Sequence, residues 1–247
     1  MNSEKQPANL IRRTAKEVKG YRTALRITPI FTGLTAALLL LVYAVSLLYS
    51  NYGAFTVKVD TFDNMKYALS LSDTRDFASP TAFLNAKASE KVTNIKESSL
   101  PKDLDAIDGS HNGENYIAYT FYCKNAGTAS VTVRYKLFIA NATRGIDKAV
   151  RIRLYVNGGA TTFARTKTDG TGPEEGTTEF RTAVIVTEET IERVKPGDVT
   201  RFTVVVWLEG DDPDCVDEIL GGQFKIDMEI AVSGLEDNGD AAKTSGT

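Results

Sequence analysis

The residues best able to do chemistry lie in one run, WLEGDDPDCVDEILGG, from Trp207 to Gly222. Six carboxylates, Glu209, Asp211, Asp212, Asp214, Asp217 and Glu218, surround one thiol, Cys215. Calcium takes several hard oxygen ligands, which makes Glu209, Asp211, Asp212, Asp214 and Asp217 candidate calcium ligands. Their spacing is not that of an EF-hand, and no glycine stands where that loop turns sharply. The competing reading is a solvated acidic turn. The other cysteine is Cys123. In an oxidising compartment the pair could close one disulfide, a gain of about 2–4 kcal/mol. The alternative is two free thiols, with Cys123 buried as a small hydrophobe.

Catalytic signals are sparse. The chain has one histidine, His111, in the Gly- and Asn-rich turn DGSHNGEN. An HExxH zinc site needs two histidines and is excluded. Ser110 stands beside His111, but neighbours in sequence do not make a triad. No GxSxG, Walker or GxGxxG pattern is correctly placed. No enzymatic activity and no cofactor beyond calcium are therefore expected. Asn141-Ala142-Thr143 matches a glycosylation sequon, which matters only in a host that uses one.

What these residues can do depends on the side of a membrane they occupy. The 247 residues are 42% hydrophobic and 25% charged, ordinary values for a folded protein. The charge is uneven. Residues 1–26 hold seven basic residues and two acids, a net of +5 against −3 for the whole chain, so residues 27–247 carry −8. No charged residue lies between Arg26 and Lys58. As a helix, residues 27–49 are about 34 Å long, enough to cross a hydrocarbon core of about 30 Å. Basic residues before the span and few after it place the N-terminus in the cytoplasm and the remainder outside. The n-region and the apolar run are both long for a cleaved signal peptide, so a signal anchor is expected. Residues 1–26 read as a basic amphipathic segment on anionic lipid or as a solvated stub. A basic block abutting an apolar run points to membrane lipid, not nucleic acid.

Beyond the span the period changes to two. AFTVKVD (54–60), KYALSLS (66–72), NYIAYTFYCKN (115–125), SVTVRYKLFIAN (130–141), KAVRIRLYVNG (148–158), TRFTVVVWLEG (200–210) and QFKIDMEIAV (223–232) all read as strands. In 148–158 Val150, Ile152, Leu154 and Val156 point inward and Arg151 and Arg153 outward. Val205 and Trp207 make both faces of 200–210 apolar, as in a central strand covered on each side. Asn125-Ala126-Gly127 reads as a hairpin turn, and Asn157-Gly158-Gly159 and Pro196-Gly197 as further turns. TEETIERVKPGD (187–198) reads as holding a short helical turn. Residues 61–114 are too long for a structureless connection and should hide short helices or edge strands. The whole reads as a mainly β protein: an antiparallel β-sandwich, jelly-roll or immunoglobulin-like, after one transmembrane helix. Its segments are 1–26 cytoplasmic, 27–49 transmembrane, 50–234 extracellular and 235–247 disordered.

Three stretches together carry a resemblance. LPKDLDAIDGSHNGENYIAYTFYCKNAG, VKPGDVTRFTVVVWLEGDDPDCVDEILGG and the N-terminal span followed by AFTVKVD resemble surface proteins of Gram-positive bacteria distantly similar to the TasA/camelysin class. That class implies a secreted jelly-roll-like sandwich able to form biofilm matrix fibres. It also implies that the first strand, here residues 54–60, complements a neighbouring subunit. The chain departs from the class in its long apolar segment, whose one small-residue cleavage candidate, Ala44-Val45-Ser46, lies inside the apolar run. The leading expectation is a single-pass surface protein with a structural or interaction role, meeting a second copy or another matrix component. A calcium-dependent adhesion or ligand-binding module is the second reading, and a surface hydrolase with an unrecognised site the third.

Overall fold

A computed structural model describes residues 32–43, 55–59, 68–87, 89 and 92–235. The chain divides into two units, Met1–Asn51 and Tyr52–Thr247. In the first, residues 32–43 form a helix. Its leucines at 34, 38, 39, 40 and 41 are exposed. Among the described residues no helix is long and apolar enough to cross a membrane. The expected cytoplasmic segment 1–26, the ends of the expected span at 27–31 and 44–49, and the tail 236–247 lie outside the described residues.

The second unit is a two-sheet, sandwich-like β-fold. Its strands are β1 (Phe55–Val59), β2 (Leu69–Ser72), β3 (Phe83–Ala86), β4 (Gly109–Ser110), β5 (Tyr116–Asn125) and β6 (Val131–Ala142). β7 (Val150–Val156), β8 (Gly159–Ala164), β9 (Thr178–Glu179), β10 (Ile185–Val194), β11 (Val199–Leu208) and β12 (Phe224–Leu235) follow. One sheet has the order β10-β6-β12-β1-β3. The other runs β2-β5-β11-β7-β8-β9, with β4 also on β5. Alternation drives the layering. Val131, Val133, Tyr135, Leu137 and Ile139 of β6 are buried while the residues between them are partly exposed. They meet Phe121 and Phe202 from the facing sheet, whose rings stack at 5.3 Å. Tyr135 meets Phe202 edge-on at the same distance. Such aromatic pairs contribute about 0.5–1.5 kcal/mol beyond area burial.

The fold corrects several expectations. The sheets are mixed, not purely antiparallel, because β1 pairs with β12 and β8 with β9 in parallel. β1 and β12 lie at opposite ends of the domain sequence, so no tight turn forces them antiparallel. Residues 125–130 do not close a hairpin: β5 and β6 belong to different sheets, so the turn is an arch between layers. Residues 187–194, expected as a helical turn, belong to strand β10. Val156-Asn157-Gly158-Gly159 is a two-residue hairpin, with φ of 51° at Asn157 and 91° at Gly158. Positive φ at both central positions is what such a turn demands.

Residues 92–108 form a strap across the outer face of the seven-stranded sheet. Leu100 and Leu104 pack there on Ala118, Val205 and Trp207, with Ile95, Tyr116 and Tyr155 at the margin. This second small core explains why β11 is apolar on both faces. The strap carries single 3-10 turns at Glu97–Ser99 and Leu104–Ala106.

Candidate functional site

The acidic loop leaves the end of β11 and is solvated only in part. Glu209 is buried, and its Oε2 accepts from the Trp207 indole Nε1–H at 2.9 Å and the Glu97 amide at 3.0 Å. Its Oε1 accepts from the Asp211 amide at 3.3 Å. Asp212 is buried against Arg151, whose Nη2 donates to its Oδ2. Asp212 Oδ1 accepts from the Asp214 amide at 2.6 Å. Asp211 pairs with Lys96 at 2.8 Å across the surface, and Asp214 accepts from the Thr168 amide at 2.9 Å. Asp217 and Glu218 are exposed on a 3-10 turn, Asp217–Ile219.

Four of the five calcium candidates thus turn toward different partners, Glu209 toward a tryptophan and a strap amide, Asp212 toward a buried guanidinium, Asp211 toward a lysine and Asp214 toward a loop amide, while Asp217 is exposed. Among the described residues no group of three or more His, Cys, Asp or Glu side chains is placed to hold a metal ion. What they build is a clasp. It ties the strap to β11 through Ile95, whose amide donates to Leu208 O and whose carbonyl accepts from Gly210 N, both at 2.9 Å. It ties the 166–179 loop to β7 through Glu174, which accepts from Arg151 Nε at 3.0 Å and Nη2 at 2.9 Å. Gly222 closes the loop, since a Cβ there would stand 2.8 Å from Ile219 O and 3.1 Å from Thr143 O.

Sequence reasoning missed the clasp's other half. Arg151 and Arg153 do point away from the main core, but Arg151 is buried, not solvated. Arg153 lies 5.3 Å over the Trp207 ring and pairs with Glu97. Register sets this: Arg151 faces Trp207 and Arg153 faces Val205 across β7 and β11. The one usable signal was the pair of arginines flanking Ile152 on a core strand.

Cys123 and Cys215 are both free thiols. Cys123 is opposite Thr200 near the start of β11. Cys215 lies beyond the other end, its amide on Asp212 O and its thiol beside Asn94. Leu208 is eight residues beyond Thr200 along the strand, about 26 Å at ~3.3 Å per residue. A disulfide needs Cα atoms within roughly 7 Å. The expected bond between them is therefore absent from this fold. Burial pushes the Cys123 thiol up to about 12, and burial chiefly raises Cys215 as well.

The strand expected to mediate self-association, 54–60, is described over Phe55–Val59 as β1. It is not a sheet edge. It lies between β12 and β3, in the register Phe55↔Ile226 to Val59↔Ile230 and Phe55↔Ala86 to Lys58↔Phe83. Phe55, Val57 and Val59 are buried, and Phe55 meets Tyr119 edge-on at 6.0 Å. The outer edges of this sheet carry side-chain caps. Phe83 N–H donates to Thr81 Oγ1, whose hydroxyl donates to Phe83 O. Lys87 N–H donates to Ser110 Oγ, and Lys87 O accepts from Asn112. On β10, Arg181 donates to Val186 O from its amide and to Glu188 O from its guanidinium. Blunting of this kind protects sheets against edge-to-edge addition.

No family model matches the chain, and no curated protein matches it. Among solved structures, a β-glucosidase from Kluyveromyces marxianus in complex with glucose is similar at 13% identity and a TM-score of 0.23. The alignment covers 65% of this chain and 15% of that one. The selenomethionine-labelled form of that enzyme is similar at 12% identity and a TM-score of 0.23, over 65% and 16%. The chain thus spans about 15% of that enzyme's length. A likeness of this size carries nothing to this protein.

Proposed function

We propose that this chain is a membrane-anchored surface protein whose β-sandwich has a structural or interaction role, as the resemblance to the TasA/camelysin class of Gram-positive bacteria implies. The observation that carries the anchor is the charge-free run 27–49 behind a block of net +5. The exposed leucines of the helix at 32–43 support it, because a helix apolar on every side needs an apolar environment. The arches from β5 to β6 and from β10 to β11 cross between sheets, consistent with a jelly-roll or immunoglobulin-like sandwich.

The interaction role rests on β1. With the edges of its sheet capped, copies would join by exchange of β1 into a neighbour's gap between β12 and β3. Such a swap reproduces contacts the strand already makes in one chain. Fractionation of cells tests the anchor: the full chain stays with membranes after alkaline carbonate, and external protease removes the β-domain from intact cells. Recovery in the cytosol refutes it. Light scattering of the detergent-solubilised full chain tests exchange. It should show concentration-dependent assemblies that disappear on deletion of residues 54–60. A single-chain mass at every concentration rules exchange out.

A further inference from the structure

We infer that His111 is a proton-dependent latch that holds the strap on the outer face of the seven-stranded sheet. The strap's buried anchor is Leu104, seated with Leu100 on Ala118, Val205 and Trp207. After Leu104 the chain returns to the sheet through β4, and His111 follows at once, its amide donating to Ala118 O at 3.0 Å. Its ring is clamped between two main-chain carbonyls. Nδ1 lies 2.8 Å from Gly109 O, and Nε2 lies 2.8 Å from Leu104 O.

Carbonyl oxygens only accept, and a neutral imidazole carries one N–H. Only the imidazolium donates to both oxygens. A neutral ring sets a lone pair against one carbonyl, and that contact must lengthen or break. The Leu104 bond ties the strap's anchor to the chain entering β5, and a neutral ring protonated at Nδ1 alone gives it up.

The acids on the connection from Leu104 to His111 are already engaged. On its own connection Asp105 holds Arg201 at 2.7 Å, and Asp108 accepts from the Tyr122 hydroxyl at 2.5 Å. From neighbouring elements, Asp73 comes near β4, its carbonyl lying beside Gly109, and the Lys87 amide donates to the Ser110 hydroxyl. The sign follows from the two donors. The latch has two bonds while the ring is protonated and one when it is neutral. Its contribution is present in acid and lost as pH rises. Loss of that bond would loosen the strap's cover of Ala118, Val205 and Trp207.

The chain's single histidine makes the test direct. The full chain, purified with a histidine-free tag and labelled with 15N-histidine, is followed by NMR in detergent. At pH 5.5 both ring nitrogens should carry hydrogen-bonded protons. Corrected for intrinsic rates, amide exchange across 100–112 should be at least about tenfold faster at pH 8 than at pH 5.5, the loss of one charge-assisted bond. H111Q should abolish that difference. Equal protection at both pH values, or a protonated ring with one nitrogen unbonded, overturns the latch. If H111Q does not fold, the wild-type ring spectrum and exchange decide alone.

Discussion

Removing the charge of Asp212 should destabilise the β-domain far more than removing that of Glu174, though both bind the same guanidinium. The side chains of Arg151 and Asp212 are each 1% exposed, while that of Glu174 is 37% exposed. Asp212→Asn keeps the volume and the acceptor for the Asp214 amide but leaves a buried guanidinium half-compensated. Breaking a buried pair costs about 3–5 kcal/mol. Glu174→Ala removes a partly solvated partner, for about 1 kcal/mol or less. Arg151→Met strands Asp212 and should match Asp212→Asn. The double variant Arg151→Met/Asp212→Leu should recover much of the loss, because it removes both desolvation costs together. For a domain of this size, 3–5 kcal/mol lowers the melting midpoint by roughly 6–20 °C. The assay is urea unfolding followed by the fluorescence of the single tryptophan, Trp207, which is buried and directly opposite Arg151 in the ladder. If Glu174→Ala costs as much as Asp212→Asn, or Asp212→Asn costs under about 1 kcal/mol, the buried-clasp reasoning is refuted.

Two further outcomes follow from the same geometry. Alkylation followed by mass spectrometry should give equal labelling with and without reductant, with Cys215 reacting in the folded protein and Cys123 only after unfolding; label at either thiol that requires reduction contradicts the strand register. Burial, and then the bond to Asp108, push Tyr122 up to about 12. Its phenol favours the protonated form in the folded state, so its stabilisation is full below pH ~10 and is lost as pH rises from there toward about 12. Ultraviolet titration should show Tyr122→Phe removing one late-ionising phenol; an unchanged late phase removes the assignment.

Much of the fold was legible in the residue pattern because burial on one face of a strand forces period two. Seven runs read as strands coincide, where described, with β1, β2, β5, β6, β7, β11 and β12. The double apolar faces of β11 were legible for the same reason, and its second cover is the strap. β10 was not legible, since an edge strand with exposed Glu189, Thr190 and Glu192 carries little alternation. Nor was the sheet to which each strand belongs: a five-residue turn after Asn125 has the same composition whether it closes a hairpin or bridges two layers. The chemistry of the acidic run was decided entirely by tertiary structure. A carboxylate's role is set by the donor that reaches it, and the long-range donors here, Arg151, Glu97 N, Lys96 and Thr168 N, come from 46 (Thr168, to Asp214) to 115 (Lys96, to Asp211: 211 − 96) residues away. Residue types determined the apolar N-terminal run, the charge asymmetry and the strands. Only the tertiary placement of β7, the strap and the loop after β8 around the end of β11 decided that the acids face cations and amides, because long-range pairing is specified by the whole core and by no local spacing.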